Sequence, residues 1–392
     1  MKKRISILTI LLVGTLTMSA QHFETVMQDI ERNNTTLAAL QAQTDATQWD
    51  SRTGLAPDNP EVEFGYLWGN PTDMGNRLDF NVTQSFDFPT TYVYRKKVAD
   101  SQASQAATHY QAARRDILLQ AGKACINLIY YNIMQREYAR HQEVAQSVLD
   151  AYQKMYDQGE KNILDLNKAK LDLLSVRRDV ESNRIEREAA LAELVRLNGG
   201  KPVVLEDTVY PSFTLPEDFD SWYADVESTN SLLKTYAAAI EASENEVRLN
   251  KSLWAPKFTV GYNSERILGT TLQGVGVGVS LPLWQNSRAV KSAQLNAYAQ
   301  RCAEQDARLS LSSELRSKYE QARSLQDLYR EYNDILQSIN SEALLKKALD
   351  EGEIPIVEYI LEKNVYREAV HEAFATHRDL MLAVCELRYA AK

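Results

Sequence analysis

The sequence predicts an α+β chain in which long helical hairpins alternate with two short β-hairpins. Three observations carry this. Glycine and proline are scarce, with 15 and 10 in 392 residues, so helices can run long and a turn-rich all-β fold is excluded. Two stretches switch from helical to two-residue periodicity. The order of elements recurs after about 195 residues, with matching residues at the matching places.

The chain begins with Lys2, Lys3 and Arg4, an apolar run from Ile5 to Met18, and then Ser19, Ala20 and Gln21. A basic start, a short apolar core and a small residue describe a secretory signal peptide over 1–20, with cleavage expected after Ala20. Losing those three basic residues takes the formal net charge from −9 to −12. Such a surface repels nucleic acid. No later stretch has 18 consecutive apolar residues, so a membrane crossing by the mature chain requires β-strands.

The first repeat covers 21–198. A helix is expected over 22–55, with Val26, Met27, Ile30, Leu37 and Leu40 at helical spacing. A hairpin follows within 57–89. Val62, Phe64 and Tyr66, then Leu78, Phe80 and Val82, alternate with Glu61, Glu63, Asp79 and Asn81 across a Gly/Asn/Pro/Asp turn. A helical hairpin over 94–198 comes next, a long helix broken at Gly159 and a second from Leu164 to Leu197. Asn198, Gly199 and Gly200 stop it, as a C-terminal cap does. The Pro-bearing segment 199–221 reads as a connector. The second repeat, 222–392, gives a helix over 222–253, a hairpin over 256–283 with strands at 256–264 and 271–283, and a helical hairpin over 287–390. That last hairpin is a helix over 287–350, broken at Gly352, and a helix from 355.

The duplication is legible residue by residue. Pro60, Val62, Phe64, Gly65 and Tyr66 match Pro256, Phe258, Val260, Gly261 and Tyr262. Asp157-Gln158-Gly159-Glu160 matches Asp350-Glu351-Gly352-Glu353, and Ile163-Leu164-Asp165 matches Ile356-Val357-Glu358.

Strands of about ten residues are long enough to cross a bilayer when tilted. One apolar and one polar face fit a barrel wall between lipid and a wet lumen. Trp68, Phe88, Trp254 and Trp284 stand at strand ends, where membrane-interface aromatics sit. Glycines 274, 276 and 278 occupy the non-apolar face of the fourth strand. Four strands do not close a barrel, and an open edge is not tolerated in lipid, so several copies are required. Eight strands would come from two copies and twelve from three. The alternative is a periplasmic coiled-coil structural or adaptor protein with small soluble sheets and no membrane barrel. The long helices between the hairpins argue against one compact sheet.

These features resemble the TolC family of outer-membrane efflux proteins over about 22–390. The most telling pieces are the two Gly-Glu segments just quoted and Ser280-Leu281-Pro282-Leu283-Trp284. The resemblance implies a homotrimer in the outer membrane, extending into the periplasm. Its twelve pooled strands would form a barrel and its helices a passive tunnel, with 199–221 in an equatorial collar. It implies that the tips Asp157, Gly159, Glu160, Asp350, Gly352 and Glu353 meet a periplasmic adaptor and an inner-membrane pump of RND or ABC type. It places Glu358, with Asp165 as its first-repeat equivalent, at the channel aperture, where acidic rings favour cations. The chain departs from the pattern at Leu361, where a second acid is expected, and at Ile354, where a basic residue is expected.

No enzyme is read. The five histidines show no ligand spacing, and HExxH, GxSxG, P-loop and GxGxxG are absent. No cofactor or metal is implied. Cys125, Cys302 and Cys385 each read as a small buried core residue.

Overall fold

A computed structural model describes residues 22–71, 74–284, 286–339 and 341–391. The expected signal peptide lies outside them. The elements are α1 (22–33), α2 (Thr35–Asp50), β1 (Glu61–Leu67), β2 (Arg77–Phe86), α3 (Pro89–Asp157), α4 (Ile163–Leu197), α5 (Phe219–Thr229), α6 (Ser231–Ser252), β3 (Lys257–Ile267), β4 (Thr270–Ser280), α7 (Ser287–Ser338), α8 (Ser341–Asp350) and α9 (Ile356–Ala390).

Three expected helices are each two. The run 22–55 breaks at Asn34, whose Oδ1 caps α2 by accepting from the Leu37 N–H at 2.9 Å. Its Nδ2 donates to the Leu197 carbonyl at 2.8 Å, at the end of α4. Past Asp50 the Ser51 and Thr53 hydroxyls bond back to the carbonyls of Gln48 and Asp50, and Gly54 turns the chain at φ +77°. The run 222–253 breaks at Asn230, whose Nδ2 donates to the Ala390 carbonyl at 2.8 Å, at the end of α9. The run 287–350 is divided into a helix ending at Ser338 and a second starting at Ser341. Helix α3 starts five residues early because Pro89 suits a first helical turn, where its missing N–H is not needed.

The chain divides into two compact units. One comprises the described residues of Met1–Ala38, Ala113–Asn230 and Leu311–Lys392. Here Val148 and Tyr152 of α3, Leu166 and Ala169 of α4, and Ile356 and Tyr359 of α9 form one apolar cluster. The connector is tied down by side chains: Asn132 donates to the Leu205 and Asp207 carbonyls, and the Tyr319 hydroxyl donates to those of Pro216 and Glu217. Asp218 caps α5, so that helix starts inside the expected connector.

The other unit, Ala39–Ala112 and Ser231–Ser310, carries all four strands. They form one antiparallel sheet in the order β1-β2-β3-β4. This corrects the expectation of separate hairpins: Arg77–Phe86 pairs with Phe258–Ile267 along its length. Strand β3 runs to Ile267 because Leu268 and Gly269, at φ 48° and 85°, make a two-residue turn with both residues left-handed. Strand β1 has seven residues, fewer than expected, because Gly69, Asn70 and Pro71 leave the ladder. At the base of the sheet, buried Asp87 pairs with Arg95 of α3 and, at 3.1 Å, with Lys257 of β3.

Candidate functional site

Antiparallel partners point to the same face of a sheet, so the register sorts the side chains. One face carries Val62, Val82, Tyr262 and Val275 in one row, and Phe86, Phe258 and Val279 in another. Phe64 and Phe80 form a further pair, and Val260 faces Val277. The opposite face carries Glu63, Asn81, Asn263 and Gly274 in one row, Glu61, Thr83, Gly261 and Gly276 in the next, and Gly65, Asp79 and Glu265 in a third. Ser85 and Thr259 hydroxyls meet there at 3.2 Å, and Arg77 pairs with Asp79 at 2.8 Å. A Cβ on Gly274 would meet nothing within 4 Å, whereas one on Gly261 would touch Thr83 at 3.0 Å.

The apolar face is bare. Phe64 is 65% exposed, Val275 75% and Val277 74%. A small soluble sheet buries such a face against helices; no described helix covers this one. Among the described residues, the edge strands β1 and β4 each have a neighbour on one side only. Among the described residues no helix is long and apolar enough to cross a membrane.

The end aromatics are exposed and fall at two levels. Trp68 follows β1 at the turn end, edge-on to Tyr66 at 5.6 Å. Phe88, Trp254 and Trp284 flank β2, β3 and β4 at the opposite end, and the Phe88 ring lies 6.5 Å from Phe258.

The two helical tips share one geometry. Gly159 and Gly352 sit at φ +78° and +74°. The Glu160 N–H donates to the Met155 carbonyl and the Glu353 N–H to the Ala348 carbonyl, both at 2.8 Å. These are Schellman caps, which need glycine at the left-handed position. Asp157, Glu160, Asp350 and Glu353 project into open surroundings. Asp165 is half-buried in the first turn of α4, where its N–H bonds the Asn162 cap and Lys168 lies 3.6 Å from its carboxylate. Glu358 is exposed in the first turn of α9. Their neighbours Leu166 and Tyr359 share one cluster, which sets the two first turns side by side.

Behind the tips lies polar chemistry absent from the sequence reading. Lys363 of α9 donates to Asp172 of α4 at 2.5 Å, with only 9% and 4% of these side chains exposed. Arg367 lies 3.8 Å from Asp179. His141 of α3 is buried, and its ring lies 6.0 Å from that of His371, which meets Tyr138 edge-on at 5.0 Å. His377 stacks on Tyr329 at 4.1 Å and meets Tyr210 at 4.8 Å. The cysteine expectation is corrected once: Cys125 and Cys385 are buried, but Cys302 is exposed, on a face of α7 that also carries exposed Leu295, Tyr298 and Leu309.

One four-stranded sheet with an exposed apolar face, joined to long helical hairpins, is a fold that the chain shares with solved outer-membrane channels. The chain matches CusC, whose structures describe transmembrane channel formation, with a TM-score of 0.80 and 14% identity over 95% of this chain and 92% of that one. It matches the CmeC outer-membrane channel of Campylobacter jejuni at 0.74 and 15%, over 94% and 85%. It also matches the outer-membrane protein VceC of Vibrio cholerae at 0.73 and 16%, over 94% of each chain. No protein-family model and no curated sequence matches.

Proposed function

We propose that this chain is one subunit of a passive outer-membrane efflux duct. The bare apolar face of the sheet, between two open edges, carries the reading. In lipid that face is satisfied without a protein cover, and the edges are satisfied when other copies extend the ladder into a closed barrel. Strands of 10, 11 and 11 residues have the length of tilted membrane strands. The fold shared with outer-membrane channels supports the same assignment. Three copies would pool twelve strands, with the duplicated halves of each chain alternating around the axis.

In this reading the face bearing Glu61, Glu63, Asp79 and Glu265 lines the lumen. Trp68 marks one membrane interface, and Phe88, Trp254 and Trp284 the other. Segments 94–198 and 287–390 form the periplasmic tunnel, with 199–221 in its collar. Glu358 and Asp165 narrow the aperture. The tips at Gly159 and Gly352 receive a periplasmic adaptor that connects to an inner-membrane pump, which supplies the energy.

Cell fractionation, followed by cross-linking of the detergent-extracted chain, tests this. The expected result is outer-membrane recovery, a ladder ending at three, and ion conductance in planar bilayers. A monomer that stays dissolved without detergent refutes the duct and returns the chain to a soluble periplasmic coiled-coil role.

A further inference from the structure

Helices α3 and α9 meet through two imidazoles, His141 and His371, whose rings lie 6.0 Å apart. His141 is 7% exposed, and its Nδ1 is buried without a hydrogen-bond partner; so is the Nε2 of His371 across from it. The groups facing this pair are largely basic. Helix α9 presents Lys363 and Arg367, and α3 presents Arg140 beside Tyr138. Helix α4 presents Asp172, already engaged by Lys363, and Asp179, which faces Arg367 at 3.8 Å; Arg178 faces Tyr138 from the same helix. Tyr138, pushed up to about 12 by burial, stays neutral and offers no counter-charge. One and a half turns along α9, His377 lies against two tyrosine rings.

We infer that this layer is an acid-sensitive latch: protonation of His141 and His371 at mildly acid pH loosens α9 from α3 and α4. Burial, and then Arg140 and its other basic neighbours, hold His141 down at about 4. Burial lowers His371 too, with Arg367 adding to the effect and Asp179 opposing it, and burial holds His377 at about 4. The sign follows. A histidine whose packed-state pKa lies below its exposed value of 6.5 favours packing above 6.5 and loses that contribution as pH falls toward 4. For His141 alone, the constant for exposing the layer rises about 30-fold between pH 7.5 and pH 5. The inference rests on the duct reading only in placing this layer where external pH reaches it.

Hydrogen exchange on the detergent-purified full chain tests the latch, with rates corrected for the intrinsic pH dependence of exchange. The expected result is a rise of at least about 30-fold in the opening constant of α9 amides 360–375 from pH 7.5 to pH 5. In H141Q/H371Q, whose side chains do not titrate, most of that rise disappears. A flat wild-type profile overturns the inference, as does full acid sensitivity in the double variant. The wild-type profile decides alone where the variant fails to fold. Both profiles are read as a change with pH in one preparation, so failure of the duct reading shows in the cross-linking ladder and not here.

Discussion

Replacing Lys363 by methionine isolates the buried ion pair that ties α9 to α4. The ammonium lies 2.5 Å from Asp172 Oδ2, and the two side chains keep 9% and 4% of their exposure. The same ammonium lies 5.6 Å from the centre of the Tyr359 ring. Removing one member leaves a buried charge uncompensated, which costs about 3–5 kcal/mol. Removing both and filling the space with apolar side chains is about neutral or stabilising, because neither charge is then desolvated. Asp172→Leu should cost as much as Lys363→Met, and the double variant far less than the sum. Local opening of α9, read by hydrogen exchange, gives the cost without requiring two-state unfolding of the whole chain. At about 1.4 kcal/mol per decade, each single variant should open α9 more than about 100-fold faster, and the double variant within about tenfold of wild type. Additive costs in the double-variant cycle, or a Lys363→Met cost below about 1 kcal/mol, would refute the argument that this contact is a desolvated pair.

Four further outcomes follow from the geometry. Gly159→Ala and Gly352→Ala place a side chain at φ +78° and +74° with open space around it, so each should cost only the left-handed strain, about 1–2 kcal/mol, read as faster exchange at the tips alone. Val277→Arg puts a charge on the bare apolar face and should weaken folding into lipid vesicles by about 2–4 kcal/mol at mid-depth, while Gly274→Ser on the opposite face should change it little. Glu358→Gln should lower cation preference and divalent block in planar bilayers; unchanged conductance would remove Glu358 from the aperture. A maleimide should label Cys302 in the folded chain, with Cys125 and Cys385 reacting only after denaturation, since burial pushes the Cys125 thiol up and keeps it protonated.

What was legible in the sequence was local. Alternation in Glu61–Leu67 and Arg77–Phe86 marks strands and their faces, because a strand's period is a property of its own residues. Gly159 and Gly352 mark the tips, because a left-handed cap excludes most other residues. Pairing is different. That β2 lies against β3 depends on residues more than 170 positions apart, and two-residue periodicity names a face without naming a neighbour. The helix breaks were illegible for a related reason. Asn34 and Asn230 stand within apolar periods that read as continuous, and what stabilises the break is a carbonyl at the end of a distant helix, Leu197 in one case and Ala390 in the other.

The same limit explains why the layer behind the tips was missed. Lys363 and Asp172 each look like ordinary charges on a helix face, and only their meeting across 191 positions turns them into a buried pair. His371 and His377, six apart on α9, point to different surroundings, so no spacing rule groups them; His371 finds its partner on α3 and His377 its rings on α7 and the connector. Alternation alone also left the destination of the sheet's apolar face open, since Val275 and Val277 would alternate identically over a soluble core. Their exposure, 75% and 74%, favours the lipid-facing alternative. With no described helix laid over them, these side chains would, in the proposed duct, meet an apolar surrounding from outside the chain, and the edges β1 and β4 would pair with strands from outside it. A bilayer and further copies of the same sheet supply both at once. A soluble partner covering the face would leave the two edges open, and for that reason the barrel accounts for more of the structure than a capped sheet does.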